Sequence, residues 1–123
     1  MEQISRARVG EFLRRLEEFD FSGALKLCTD SAVVWQNDGE GEQAMDKRLD
    51  HFKSFVTTVA SLRYDVNHQV GEANEVFQQH VLRLEMTDGS SAEVHAAVYF
   101  HLDGELIHRI EEYVYTVPAT SAA

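Results

Sequence analysis

Two side chains that can ionise, His80 and Glu112, fall at strand positions whose same-face neighbours are almost all apolar. One alternating run carries Val76, Gln78, His80, Leu82, Leu84 and Met86, and a later one carries Leu106, His108, Ile110, Glu112 and Val114. A carboxylate is rarely buried without a partner, and an apolar setting raises its pKa. Beside an imidazole at the bottom of an apolar cup, Glu112 would hold one ring tautomer of His80 and stabilise its cation. The second ring nitrogen would then be free to move a proton. Such a pair suits enolisation, aldol-type cyclisation or water activation on an apolar, oxygenated molecule. The plainer reading is a satisfied polar pair that fills a narrow core and leaves no room for a ligand.

The elements that must position this pair are legible from periodicity. A strand over Ala92–Leu102 lies between the two runs, with Ala92, Val94, Ala96, Val98, Phe100 and Leu102 on the same face. Thr87-Asp88-Gly89 and Asp103-Gly104 supply the hairpin turns, and Leu62–Val70 forms a strand ahead of them. Upstream the period is helical. Ile4, Val9, Phe12, Leu13, Leu16 and Phe19 make the apolar stripe of a first helix. Asp20 is placed to cap a short second helix, in which Cys28 reads as a small core residue. Ala32–Trp35 is a strand ended by Asn37-Asp38-Gly39. A third helix is expected from near Glu42, carrying Met45, Leu49, Phe52, Phe55, Val56 and Val59. Helices first and a strand meander afterwards describe an α+β domain. Residues 1–117 form one domain, and 118–123 read as a flexible tail.

Composition narrows the function. Eleven Lys and Arg against 21 Asp and Glu give a net charge of −10, which disfavours nucleic acid and anionic membranes as partners. Met1–Arg8 has no apolar stretch of signal-peptide length, and no run of the chain approaches membrane-spanning length. One cysteine, Cys28, suits a reducing cytoplasm. A metal site is not expected, because His95 and His101 stand about 20 Å apart along a strand and the other histidines are scattered. No phosphate-binding glycine loop or dinucleotide fingerprint is present, so no cofactor is expected. The outward strand face carries Phe77, Val81, Tyr99, Ile107, Tyr113 and Tyr115. So many aromatics suggest a covered surface, most simply a homodimer interface. Aromatic pairs that merely stabilise an exposed sheet are the alternative.

The order of elements resembles the nuclear transport factor 2-like superfamily, and within it the SnoaL-like proteins, relatives of limonene epoxide hydrolase and ketosteroid isomerase. The local markers are Asp20-Phe21-Ser22-Gly23-Ala24-Leu25, Trp35-Gln36-Asn37, Gly41-Glu42-Gln43-Ala44 and the stretch Ile107–Tyr113. The resemblance spans Glu2–Thr116 and implies three helices packed on a curved, mostly antiparallel sheet that forms a cone, the cystatin-like α+β barrel. It is specific for the fold and weak for any one chemistry. At the isomerase's base position stands Gln36, at its oxyanion-hole Tyr stands Phe12, and its Asp falls at or next to Val98. That mechanism has lost all three groups. Against the epoxide hydrolase, Asn37 matches the water-holding Asn and Glu112 the last-strand Asp. Trp35 replaces the Tyr, His80 the Arg, and Leu82 the second Asp, so its relay would run only in modified form.

The resemblance and the residue reading together give His80 and Glu112 as candidate catalytic residues, and Trp35, Asn37, Gln78, Val98 and Ile110 as candidate binding residues. Two functions stand side by side. One is a cofactor-independent acid/base enzyme of isomerase, cyclase or hydrolase type, acting on a small apolar oxygenated molecule. The other is a non-catalytic ligand-binding or dimerisation module.

Overall fold

The structure, a computed structural model, describes residues 2–120. Helix α1 (Glu2–Glu17) turns its apolar stripe inward, burying Val9, Phe12, Leu13 and Leu16. Ile4 and Phe19, expected on that stripe, are 43% and 37% exposed, because they sit at the helix ends. The helix stops in a Schellman motif: the N–H of Asp20 donates to Arg15 O at 2.8 Å and that of Phe19 to Leu16 O at 3.0 Å. Phe19 fills the left-handed position of the motif, at φ 60°, where glycine is the usual residue.

Asp20 caps α2 (Phe21–Leu25) as expected, its Oδ1 accepting from the Gly23 N–H at 2.9 Å. Strand β1 (Cys28–Gln36) begins earlier than expected and takes in Cys28. The third helix begins later than expected. Gly41, at φ 75°, redirects the chain so that Glu42–Ala44 pair with Val33–Trp35 as a short strand, β2, and α3 starts only at Met45. Helix α3 (Met45–Phe55) buries Met45 and Leu49 and ends in a 3-10 turn over Val56–Thr58. Val59, expected on the helical stripe, opens strand β3 (Val59–Glu72).

The meander continues through β4 (Glu75–Met86), β5 (Ser91–Asp103) and β6 (Leu106–Thr120). The β4–β5 and β5–β6 turns fall where Asp-Gly stands, with Gly89 and Gly104 at φ 88° and 64°, while Ala73-Asn74 turns β3 into β4. Strand β6 thus runs past Pro118, where the tail was expected to begin, and residues 121–123 lie outside the described residues. The six strands form one mixed sheet in the order β2-β1-β6-β5-β4-β3, with β1 parallel to β6 and every other pairing antiparallel.

One irregularity resets a face. Phe100 pairs with Ile110 and His101 with Arg109, but Leu102 pairs with Ile107, so His108 is an extra residue in β6. The bulge reverses the alternation on its N-terminal side. Ile107, expected outward, is fully buried, and Leu106, expected inward, is 39% exposed. The main core lies between α1, α3 and the inner sheet face around Val9, Phe12, Phe100, Leu102 and Ile107. A satellite cluster of Val56, Val59, Leu62, Leu82 and Leu84 fills the far end.

Candidate functional site

The inner sheet face and the helices α1 and α3 enclose a cavity of about 430 Å³. Its walls are apolar, built from residues such as Phe12, Leu16, Leu49, Phe52, Val98 and Ile110. Strands β1, β3, β4, β5 and β6 all contribute to this one space, so the sheet must curl around it. Seven polar or charged side chains reach it: Gln36 on β1, Arg48 and His51 on α3, Tyr64 on β3, His80 on β4, and Glu112 and Thr116 on β6.

Strand register sets their spacing. Gln78, Val98 and Glu112 form one row across β4, β5 and β6, while His80 lies in the next row with Ala96 and Val114. His80 and Glu112 are therefore two strand spacings apart, about 10 Å laterally, and one inward step apart along the sheet. The expected His80–Glu112 hydrogen bond is not formed. His80 Nδ1 instead lies 2.8 Å from the Gln78 amide nitrogen, and Gln78 Oε1 accepts from Gln69 Nε2 at 2.9 Å. The Tyr64 ring meets His80 edge to face, with centroids 5.1 Å apart. Among the described residues the only sealed side-chain polar atom without a partner is Gln43 Oε1. His80 Nε2 and both Glu112 carboxylate oxygens, which have no protein hydrogen-bond partner there, are thus open to the cavity.

The electrostatics follow from this enclosure. Burial in apolar surroundings pushes the His80 imidazole down to about 4, so the ring is neutral at physiological pH. Burial raises the Glu112 carboxyl; the nearby Arg48 guanidinium pulls it back and Asp38 pushes it up further. Arg48 is itself held beside Glu112 by a hydrogen bond to Gln36, the parallel-strand neighbour of Glu112, and by Asp38 at 4.0 Å. The Tyr64 hydroxyl is raised by burial first and then by the negative charges of Glu112 and Glu17.

The remaining expected site residues divide. Val98 and Ile110 line the cavity. Gln78 is buried at 4% exposure but does not line it; its amide bonds to His80. Trp35 does not wall the cavity: its neighbours Val34 and Gln36 point in, so its indole points out and packs on Tyr113 at 5.1 Å. Asn37 does not reach the cavity either. Its Oδ1 accepts the Val114 N–H at 3.0 Å and its Nδ2 donates to Val114 O at 3.3 Å, so the side chain stands in for a strand neighbour at the end of β1. His108, displaced by the bulge, bonds Thr29 Oγ1 through Nδ1 at 2.8 Å. Cys28 is buried at the start of β1, and burial pushes its thiol up to about 12, which leaves it inert.

Tyr64 and Arg48 were not reached from the sequence, although each left a signal. Tyr64 shares its face with Leu62 in a period-2 strand, and Arg48 is a lone cation three residues after Met45 and four before Phe52 on an apolar stripe. Among the described residues no group of three or more His, Cys, Asp or Glu side chains could hold a metal ion, and no helix is long and apolar enough to cross a membrane.

A family model described as a SnoaL-like domain matches residues 9–110. No curated protein matches the chain by sequence. Among solved structures, an LEH-like epoxide hydrolase from M. tuberculosis superposes with a TM-score of 0.77 at 15% identity, covering 93% of this chain and 84% of that one. AclR, a putative hydroxylase from Streptomyces galilaeus, gives a TM-score of 0.82 at 12% identity, with coverages of 94% and 91%. The BvnE pinacolase from Penicillium brevicompactum gives 0.76 at 14% identity, with coverages of 91% and 85%. At these identities the likeness establishes the nuclear transport factor 2-like cone and no chemistry.

Proposed function

The chain belongs to the SnoaL-like domain family, and from that premise we propose that it is a cofactor-independent acid/base enzyme acting on a small, apolar, carbonyl-bearing molecule. One observation carries this reading: a carboxylate and an imidazole nitrogen, neither with a hydrogen-bond partner among the described residues, open onto the same apolar cavity from separate strands. A substrate lying between β4 and β6 would have Glu112 on one side and His80 on the other. Glu112, raised by burial, is tuned to accept a proton from the carbon next to a carbonyl and return it elsewhere. His80 contributes a neutral hydrogen-bonding group for the oxygen on which enolate charge develops, with the Tyr64 hydroxyl beside it. Enolisation and aldol-type cyclisation both reduce to that pair of events. An epoxide in the same cavity would open by attack of a water on a ring carbon, the protonated Glu112 carboxyl giving its proton to the departing ring oxygen and the added water losing one, which restores the acid.

The test is a panel of cyclic ketones, β-dicarbonyls and epoxides, followed by proton exchange at the α-carbon and by product formation. Turnover that falls by about 10²-fold or more in a folded Glu112→Gln variant supports the reading. If no member turns over, and ligands bind Glu112→Gln as tightly as the parent, the chain is a ligand-binding module instead. The apolar walls alone would suffice for that second role.

The outer sheet face carries its own proposal, a homodimer. Phe77, Tyr113 and Tyr115 are 53%, 59% and 68% exposed, and Val70, Phe77, Tyr99 and Tyr113 border a broad trough there. Val81, expected in this surface, is buried within the protomer and contributes nothing to it. The single buried thiol is compatible with a cytoplasmic location.

A further inference from the structure

We infer that Gln78 is a positioning residue which, held by Gln69, fixes His80 as a neutral imidazole with its proton on Nε2, aimed into the cavity. The inference deepens the proposed function, because it rests on His80 facing the substrate and decides what His80 can do there.

The argument is one of hydrogen-bond polarity. A glutamine side chain has one carbonyl oxygen and one NH₂ group. Gln69 and Gln78 are register partners on β3 and β4, and the Gln69 amide nitrogen donates to Gln78 Oε1 at 2.9 Å. That leaves the Gln78 NH₂ to face His80 Nδ1 at 2.8 Å, two residues on along the same strand face. An amide N–H cannot accept, so Nδ1 must present its lone pair. A neutral imidazole has one N–H, which then belongs to Nε2. Gln78 and His80 are only 4% and 5% exposed, so water cannot readily take over either partner. The edge-to-face Tyr64 ring, at 5.1 Å, restrains the plane of the imidazole.

Nε2 in this tautomer donates and cannot accept. The cavity at β4 therefore fits a neutral acceptor oxygen, such as that of a ketone, an ether or an epoxide. It does not fit an ammonium group, which brings donors only. The same polarity removes His80 from the role of base and leaves the proton transfer to Glu112.

Side-chain ¹⁵N–¹H NMR of the histidine rings tests this without a substrate, with the His80 signals assigned by their loss in His80→Asn. In the unliganded protein at pH 7 the expected pattern is a protonated Nε2 and a bare, pyridine-type Nδ1. A protonated Nδ1, which both amides would accept if rotated, overturns the inference, as does a charged ring. Gln78→Leu removes the partner of Nδ1 and is expected to give a mixture of tautomers; an unchanged, pure Nε2–H pattern in the folded variant also overturns it. Should that variant not fold, Gln69→Leu releases the Gln78 amide at its half-buried end and is expected to give a mixture of tautomers, an unchanged Nε2–H pattern counting against the relay. The Nε2–H pattern with no turnover of any carbonyl or epoxide would leave the positioning role standing and remove the enzyme reading, so the two fail separately.

Discussion

At the scale of single residues, Glu112 sets function against stability. Its carboxyl is raised because the folded protein disfavours the anion, so above the unfolded value of 4.5 each rise in pH costs folding free energy until the folded pKa is passed. Glu112→Gln removes that cost while keeping shape and polarity. The variant is expected to lose turnover and to melt at the same temperature as the parent or higher at pH 8, which calorimetry checks. His80 works in the opposite direction. Its folded value of about 4 lies below the ordinary 6.5, so the unfolded chain binds the extra proton between those limits and stability falls as pH drops from 6.5 to 4. A shift of that size corresponds to about 3 kcal/mol. The two slopes oppose one another in the parent. In Glu112→Gln the His80 slope stands alone, so urea unfolding free energies should fall more steeply between pH 6.5 and 4.5 in the variant than in the parent. Equal slopes would mean that folding does not raise the Glu112 carboxyl, and no fall in the variant would mean that burial does not hold the imidazole neutral.

At the scale of elements, short-range hydrogen bonds decide where helices and strands stop. Asp20 satisfies the Gly23 N–H at the start of a five-residue helix that has little else to hold it, and Arg15 pairs with the same carboxylate at 3.1 Å. Asp20→Ala is expected to lower the midpoint of chemical denaturation, with no change in the dimensions of the cavity. Asn37 does similar work for a strand end, and Asn37→Ala leaves the Val114 N–H and C=O without their side-chain partner. The expected loss is about 1–2 kcal/mol, with earlier amide exchange at Val114 than at Ile110. A loss of ligand binding without a loss of stability in Asn37→Ala would return Asn37 to the site.

At the scale of the whole molecule, the two faces of one sheet serve different ends. The inner face is closed by helices around the cavity, and the outer face is left open with its aromatics bare. On the dimer proposal, the chain should sediment at twice its 14.0 kDa mass. A charge of −10 on each protomer opposes association at long range, so added salt should tighten the dimer. Tyr113→Arg should weaken it while leaving the protomer folded, because the side chain it replaces is 59% exposed. A parent chain that sediments as a monomer at high concentration in salt would remove the proposal.

What the sequence determined on its own was everything that depends on local pattern. Period-2 and period-3.6 hydrophobicity named the helices and the longer strands, Asp-Gly named two of the three hairpins, and Asp20 named its own cap. Polar residues on apolar faces pointed to His80 and Glu112, and both open on the cavity. Tertiary structure decided the rest, for two physical reasons. A single inserted residue reverses every face beyond it, so the bulge at His108 moved His108 and Ile107 across the sheet with no mark in composition. Partnership, moreover, depends on which strand lies alongside and in what register, and that is settled by long-range pairing. His80 found Gln78 and Tyr64 instead of Glu112, and Glu112 came to lie beside Gln36 and near Arg48 without bonding to either, because β3, β4, β5, β6 and β1 lie side by side in that order around a curled sheet.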